Sequence, residues 1–338
     1  MKPSEKLSLV TRSKCVPLIA VVELTRRCNL KCRHCYIDAP RNPNGELSTA
    51  KVKVLLSQLA ASGCLNLVFT GGEIFLRGDL IELCVYARSK GFDLRLFTNG
   101  TLIDACKAKA LSKLGLGGVE ISLYGREAAH DKVTGVKGSF SRTVAAVNML
   151  NEYGIHLTIK CPLMKMNFAQ RKWMLSFAEK LGAQLRFDAT IAPKDNGDKS
   201  VLKYRLSGRQ MSRLFSDPEI SGEPPAADGD PDFTCSAGRN MVTIGFDGEV
   251  YPCLQLRTPL GNVKKQVFSK IWSDGNPGLS AFRKLSIKDF PKCLNCDLAL
   301  ICRRCPGIAL LEDKTLTGPS AIACKIARIE GSIAKNFQ

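Results

Sequence analysis

Ten of the fifteen cysteines fall in patterned groups, and the first group, "CNLKCRHCY" from Cys28 to Tyr36, supplies three thiols and no fourth. Structural zinc and ordinary iron–sulfur clusters are normally held by four protein ligands. The set Cys28, Cys32 and Cys35 therefore either borrows a distant ligand or leaves one metal position open on purpose. An open position means chemistry.

Clustered cysteines in a chain of 338 residues argue for metal and against a disulfide framework. The one early apolar run, "VPLIAVVEL", is about half a bilayer span, contains Glu23 and is followed by no cleavage signal. No membrane span or secretion is expected, and the chain is placed in the cytoplasm. Cys15, Cys64, Cys84, Cys106 and Cys161 stand alone in apolar or helical contexts and read as small buried hydrophobes. The net charge is +18, from 49 basic and 31 acidic residues, which suits an acidic partner. Nucleic acid is disfavoured, because the basic residues are spread along the chain with no aromatic stacking platform among them.

From residue 18 to about 191 short apolar runs alternate with helix-period segments, the signal of a parallel sheet. "LIAVVEL", "LNLVF", "FDLRLF", "GVEISL", "IHLTIK" and "QLRFDATI" read as six strands, each but the last followed by a helix. Ser48 and Asp79 read as caps of the first two of those helices. Six such units suit a barrel-like sheet, and the cysteine loop, Glu73, Asn99 and Ser122 all follow strand ends, the rim where active sites collect. Residues 193–232 have the character of a linker or lid around a short helix near Ser207–Phe215. "MVTIGFDGEVYPC" reads as a hairpin turning at Asp247 and Gly248, and cysteines dominate the rest of the chain.

CxxxCxxC followed by an aromatic, then "GGE" after the second strand, resembles the radical S-adenosylmethionine (SAM) enzymes. The resemblance implies that Cys28, Cys32 and Cys35 hold three irons of a [4Fe-4S] cluster, while the fourth iron is chelated by the amino and carboxylate groups of SAM. Reduction then cleaves SAM to a 5′-deoxyadenosyl radical that abstracts hydrogen from a substrate. Glu73 would face the SAM amino group, with Gly71 and Gly72 making the turn, and Tyr36 would lie at the adenine. Asn99 and Ser122 would contact the methionine carboxylate or ribose, and Lys160 is a further candidate for that carboxylate. Each also has a plain alternative: tight turns for the glycines, Asn99 and Ser122, loop packing for Tyr36, solvation for Lys160. "GGEIF" replaces the more frequent "GGEP", where proline mainly stiffens the turn.

The later set, Cys235, Cys253, Cys293, Cys296, Cys302, Cys305 and Cys324, resembles the SPASM extension of radical SAM enzymes that modify peptides and proteins. "CLNC" and "CRRC" on their own would fit a zinc ribbon. Behind a radical SAM domain they imply two auxiliary iron–sulfur clusters: one on Cys293, Cys296, Cys302 and Cys324, the other on Cys235, Cys253 and Cys305. Two spacings depart from the family. Cys302 and Cys305 have two residues between them, and Gly229 stands where many members carry another cysteine. Asp228, Asp230 or Asp232 could fill that coordination position, or it stays exchangeable.

The expected architecture is α/β: a partial (β/α)6 TIM-like barrel of the radical SAM type with a small cysteine-rich C-terminal SPASM domain. The divisions fall at 1–17 (N-terminal extension), 18–192 (partial barrel), 193–232 (linker or bridging region) and 233–338 (auxiliary-cluster region). The expected function is peptide or protein maturation, with modification of a small molecule such as a tetrapyrrole side chain as the alternative. A non-catalytic electron carrier or zinc module is disfavoured, since a carrier needs no open iron. Leu254 and Gln255 after Cys253 replace the acid of sulfatase maturases, which argues against formylglycine formation. The short stretch before the first strand leaves no room for a fused leader-binding domain, so a separate peptide-recognition protein is expected. An acidic low-potential donor, flavodoxin or ferredoxin, would supply electrons, faster at low ionic strength.

Overall fold

The computed structural model describes residues 3–38, 44–221 and 235–335. Six parallel strands lie side by side in chain order: β1 (Ile19–Thr25), β2 (Asn66–Gly71), β3 (Asp93–Thr98), β4 (Gly118–Ser122), β5 (Leu157–Pro162) and β6 (Gln184–Asp188). An N-terminal helix α1 (Pro3–Ser13) precedes them. The connections carry α2 (Thr49–Ala61), α3 (Leu80–Ser89), α4 (Ala105–Ser112), α5 (Glu127–Thr134), α6 (Ser139–Glu152) and α7 (Arg171–Lys180).

The sheet stays open, because β6 ends it on one side and a hairpin ends it on the other. Alternation along each strand separates the two faces. Val22, Leu24, Phe69, Leu96 and Ile121 are fully buried in one core with Leu55, Leu59 and Leu83 of the covering helices. Glu23, Thr70, Phe97, Glu120 and Lys160 fall on the inner face.

Strand β7 (Met241–Ile244) pairs in parallel with β1, with Ile19 opposite Met241 and Val22 opposite Ile244. It then turns into the antiparallel strands β8 (Glu249–Tyr251) and β9 (Gly261–Asn262). The turn uses Gly248 at φ +87, as its Asp-Gly sequence requires. The hairpin read from the sequence therefore exists, and it is also a continuation of the barrel sheet. The segment after β6 is packed as well: Ser207 and Gln210 form a capping box, and the helix Gly208–Phe215 buries Met211 and Leu214 beside Ile322.

Ser48 caps α2 as expected, accepting from the Lys51 N–H. Asp79 stands at the start of α3 without capping it. Its carboxylate instead takes Arg77 Nη2 at 2.6 Å and Thr49 Oγ1 at 2.7 Å, and the Arg77 hydrogen bond holds it below the usual carboxylate range. Arg77 is buried, and its Nη1 also donates to the carbonyls of Leu24 and Leu47. One guanidinium thus ties the end of β1 to the start of α2 and α3. Cys64, Cys84 and Cys161 are buried, and burial pushes the first two up to about 12. The reading of Cys15 and Cys106 as buried is corrected: Cys15 is half-buried, and Cys106 is exposed because it lies on the outward side of α4.

Removing Arg77 takes the ion-pair partner from the Asp79 carboxylate, which keeps only Thr49, and the side-chain donor from two buried carbonyls. Arg77→Ala is expected to destabilise the fold by about 3–5 kcal/mol, read as a lower urea midpoint, whereas a change at exposed Lys109 is expected to shift it little.

Candidate active site at the strand ends

The loop after β1 carries Cys28, Cys32 and Cys35, all half-buried and free of disulfides. The three thiols line one cavity of about 460 Å³ together with Lys31, Arg33 and Lys203. Two backbone contacts fix where this loop begins: Gly72 N–H donates to the Thr25 carbonyl at 2.8 Å, and Glu73 N–H to that of Arg27 at 2.7 Å. Both glycines are obligatory there. A Cβ on Gly71 would lie 2.2 Å from the Thr25 carbonyl oxygen, and one on Gly72 would lie 2.1 Å from that of Arg27. Gly71 also sits at φ +141.

Glu73 is fully buried. Burial pushes its carboxyl up, and three donors oppose the shift: Phe75 N–H, Thr98 Oγ1 at 2.7 Å and Asn99 N–H at 2.8 Å. The carboxylate thereby joins the ends of β2 and β3. Asn99 passes the connection on, its Nδ2 donating to Asn29 Oδ1 at 2.9 Å and lying 4.0 Å from the Cys28 sulfur. Asn29 was missed in the sequence; its position directly after the first cysteine was the available signal.

Tyr36 directs its hydroxyl to Glu23 Oε1 on the inner face, 3.1 Å away, and burial is the main reason its phenol is held above its usual range. The same carboxylate oxygen takes Arg257 Nη2 at 2.6 Å, and that guanidinium also lies over the Tyr36 and Tyr251 rings. Glu23 Oε2 and Arg257 Nε are buried with no partner among the described residues. Asp195, past β6, straps the other side of the loop: it pairs with Arg26, its N–H donates to the Tyr36 carbonyl, and Oδ1 accepts from the Asp38 N–H. Glu23, Arg257 and Asp195 gave no sequence signal, since their partners lie far along the chain.

Ser122 and Lys160 are opposite each other across β4 and β5. The side chain of Ser122 reaches buried Tyr124. Lys160 Nζ pairs with Glu120 Oε2 at 2.7 Å and sits 3.6 Å above the centre of the Phe97 ring, so its ammonium is held against the inner face while the side chain stays 34% exposed.

The other seven cysteines gather in two neighbourhoods. Burial pushes Cys253 up to about 12, and the charges of Cys235 and Cys305 push it the same way. Cys302 is raised by burial and by Cys324, Cys293 and Cys296. Arg304 lies between the sets: burial lowers its pKa, and thiols of both sets raise it. It donates to the carbonyls of Leu316 and Gly318 and leaves Nη1 buried without a partner among the described residues. Asp228, Asp230 and Asp232 lie outside the described residues.

The sequence profile of the radical SAM superfamily matches residues 22–178, and that of the SPASM iron–sulfur cluster-binding domain matches residues 235–297. The chain belongs to the radical SAM superfamily and carries a SPASM region. It is 41% identical to the Fe-coproporphyrin III synthase of Methanosarcina barkeri over 169 residues, which take in 49% of this chain and 42% of that protein. Identity to the PqqA peptide cyclase of Gluconobacter oxydans is 27% over 348 residues, covering 95% of each. The solved structure of anSMEcpe with bound AdoMet superposes with a TM-score of 0.73 at 19% identity, covering 95% of this chain and 98% of that one.

This radical SAM enzyme uses a SAM-binding [4Fe-4S] cluster and auxiliary iron–sulfur clusters. The donor sets fit such groups: all ten patterned cysteines are free thiols, three on an open cavity and seven in two neighbourhoods. Among the described residues no three His, Cys, Asp or Glu side chains form a group that could hold a metal ion. Nor is any described helix long and apolar enough to cross a membrane.

Gly72→Ala places a methyl group against the backbone that leads into the cysteine loop. The variant is expected to lose about one cluster's worth of iron and its SAM cleavage while the rest of the iron is retained, as measured by iron analysis and 5′-deoxyadenosine yield.

Proposed function

We propose that Cys28, Cys32 and Cys35 hold the SAM-binding cluster, and that the enzyme abstracts hydrogen from a residue of a peptide or protein. The three-thiol loop opening on a cavity at the strand-end rim carries this reading. When bound, a [4Fe-4S] cluster with one open iron supplies the electron that cleaves SAM and releases a 5′-deoxyadenosyl radical. The chain supplies position and enclosure. Gly71 and Gly72 let the β2 turn approach the cysteine loop, and Glu73 and Asn99 fix the loop's height above the sheet. Tyr36, Ser122 and Lys160 lie around the inner face, where the adenine, ribose and carboxylate would be received. Cys293, Cys296, Cys302 and Cys324 would hold one auxiliary cluster, and Cys235, Cys253 and Cys305 the other. The setting is a reducing cytoplasm, in which free thiols persist.

One observation favours a peptide over a small molecule. Among the described residues the open sheet leaves β6 as an unpaired edge with alternately exposed residues, a lateral entrance for an extended chain. Sequence similarity runs through most of the chain in both directions, to a peptide cyclase over 95% of both chains and to an AdoMet-dependent heme synthase over 86% of this chain and 91% of that protein. The second reading, modification of a tetrapyrrole, is favoured by the higher but shorter identity to the coproporphyrin enzyme. Incubating the reduced enzyme with SAM and either a candidate precursor peptide or an iron porphyrin distinguishes them. A peptide product lighter by the mass of abstracted hydrogen supports maturation, and loss of carboxyl groups from the porphyrin contradicts it.

Replacing Cys28, Cys32 and Cys35 together by alanine is expected to abolish 5′-deoxyadenosine formation while the remaining iron, about two clusters of an original three, persists. Continued SAM cleavage by that variant would contradict the assignment.

A further inference from the structure

The cavity that holds the three thiols has a basic rim. Lys31, Arg33, Lys132, Lys137, Lys165 and Lys203 are all exposed, and none of them has an ion pair among the described residues. They come from four different connections, after β1, β4, β5 and β6, so the sheet topology brings them to one edge. The patch is also built rigidly. Lys31 N–H donates to the Thr134 carbonyl at 2.9 Å and Arg33 N–H to that of Val133 at 3.0 Å, and Arg33 Nε holds the Lys132 carbonyl at 2.8 Å. On the other wall, Lys165 N–H donates to the Tyr204 carbonyl and its Nζ to that of Lys203. Lys31, Arg33 and Lys203 line the same cavity as Cys28, Cys32 and Cys35.

The nearby acids do not neutralise this rim. Asp38 and Asp198 are both engaged with Lys194, at 3.3 and 2.8 Å. Asp131 turns inward to the N–H groups of Gly138 and Phe140. Glu127 is exposed at the edge of the patch. The whole molecule carries +18, but its charges elsewhere form many of the ion pairs, such as Lys53 with Glu82 and Lys107 with Asp104. Here cations without an ion pair among the described residues are concentrated at the cavity of the three thiols.

We propose that this rim is the docking surface for an acidic, low-potential one-electron donor protein, which delivers its electron directly to the group held by Cys28, Cys32 and Cys35. The proposal rests on the assignment of those cysteines made above. With a flavodoxin as donor, the anionic flavin hydroquinone loses one electron to become the neutral semiquinone, and the cluster passes from the 2+ to the 1+ state with no proton moved. Opposite charges on the two proteins steer the encounter, and salt screens it.

The test uses the reconstituted holoenzyme carrying Lys132→Glu, Lys137→Glu and Lys165→Glu together, rim positions outside the lining of the cysteine cavity, leaving the cysteine loop intact. The control carries Lys109→Glu, Lys113→Glu and Lys180→Glu, exposed positions near the opposite, N-terminal ends of β4 and β6. Binding of an acidic flavodoxin is followed by calorimetry, electron transfer from its hydroquinone by stopped-flow absorbance, and SAM cleavage with dithionite as a small reductant. The rim variant is expected to bind flavodoxin and accept its electron at least about tenfold more weakly at low salt, to converge with the native enzyme as salt rises, and to cleave SAM normally with dithionite. The proposal is overturned if flavodoxin binding and rate are unchanged, or if the control variant is slowed equally. It is also overturned if dithionite-driven cleavage weakens in parallel, which would make the rim an entrance for SAM or an anionic substrate. Failure of the native enzyme to cleave SAM with dithionite would count against the radical assignment instead, and donor binding is read independently of it.

Discussion

The close approach of Gly72 to the carbonyl oxygen of Arg27 is the contact on which the active-site rim depends. It exists because two successive residues lack a side chain, so that the end of β2 lies against the backbone entering the cysteine loop. With that approach made, Glu73 is carried into a fully buried position where three donors await its carboxylate. A buried carboxylate without them would be costly. Through Thr98 and Asn99 the same carboxylate fixes the end of β3, and through Asn29 the connection returns to the loop that holds Cys28. The ends of three strands and the cysteine loop thus form one hydrogen-bonded unit.

A second layer ties the cysteine-rich region into that unit. Strand β7 extends the barrel sheet beside β1, so the residues before and after it are placed relative to the first cysteine loop by backbone pairing. Arg257, four residues beyond Cys253, reaches Glu23 on β1, which also holds Tyr36. The buried cation thereby connects the neighbourhood of one later cysteine set to the residue directly after Cys35. Arg304, between the two later sets, places a positive charge among thiols that would have to lose protons to bind iron. Asp195 closes the remaining side.

Local patterns were legible in the sequence, and distant partnerships were not. All six parallel strands were readable because each is a short apolar run bounded by glycines or caps, and the Ser48 cap and the Asp247–Gly248 turn come from chemistry within four residues. Asp79 looked like a cap for the same reason, but Arg77 and Thr49 compete for its carboxylate more strongly than the helix start does. The hairpin was legible while its pairing with β1 was not, since nothing local in "MVTI" names a partner strand some 220 residues earlier. The site obeyed the same rule: the thiols and the glycines announce themselves by spacing, whereas Asn29, Glu23, Arg257 and Asp195 matter only through what the fold brings beside them. Lys160 was found at the expected strand, and only the structure reveals that Glu120 and Phe97 hold it.

The central claim is that three cysteines leave one iron open for SAM. Electron–nuclear double resonance of the reduced enzyme, with SAM labelled with nitrogen-15 in the amino group and oxygen-17 in the carboxylate, tests it most directly. Hyperfine coupling of both labels to the cluster is the predicted result, lost when Cys28, Cys32 and Cys35 are replaced. A cluster that shows neither coupling with SAM at saturation would contradict it.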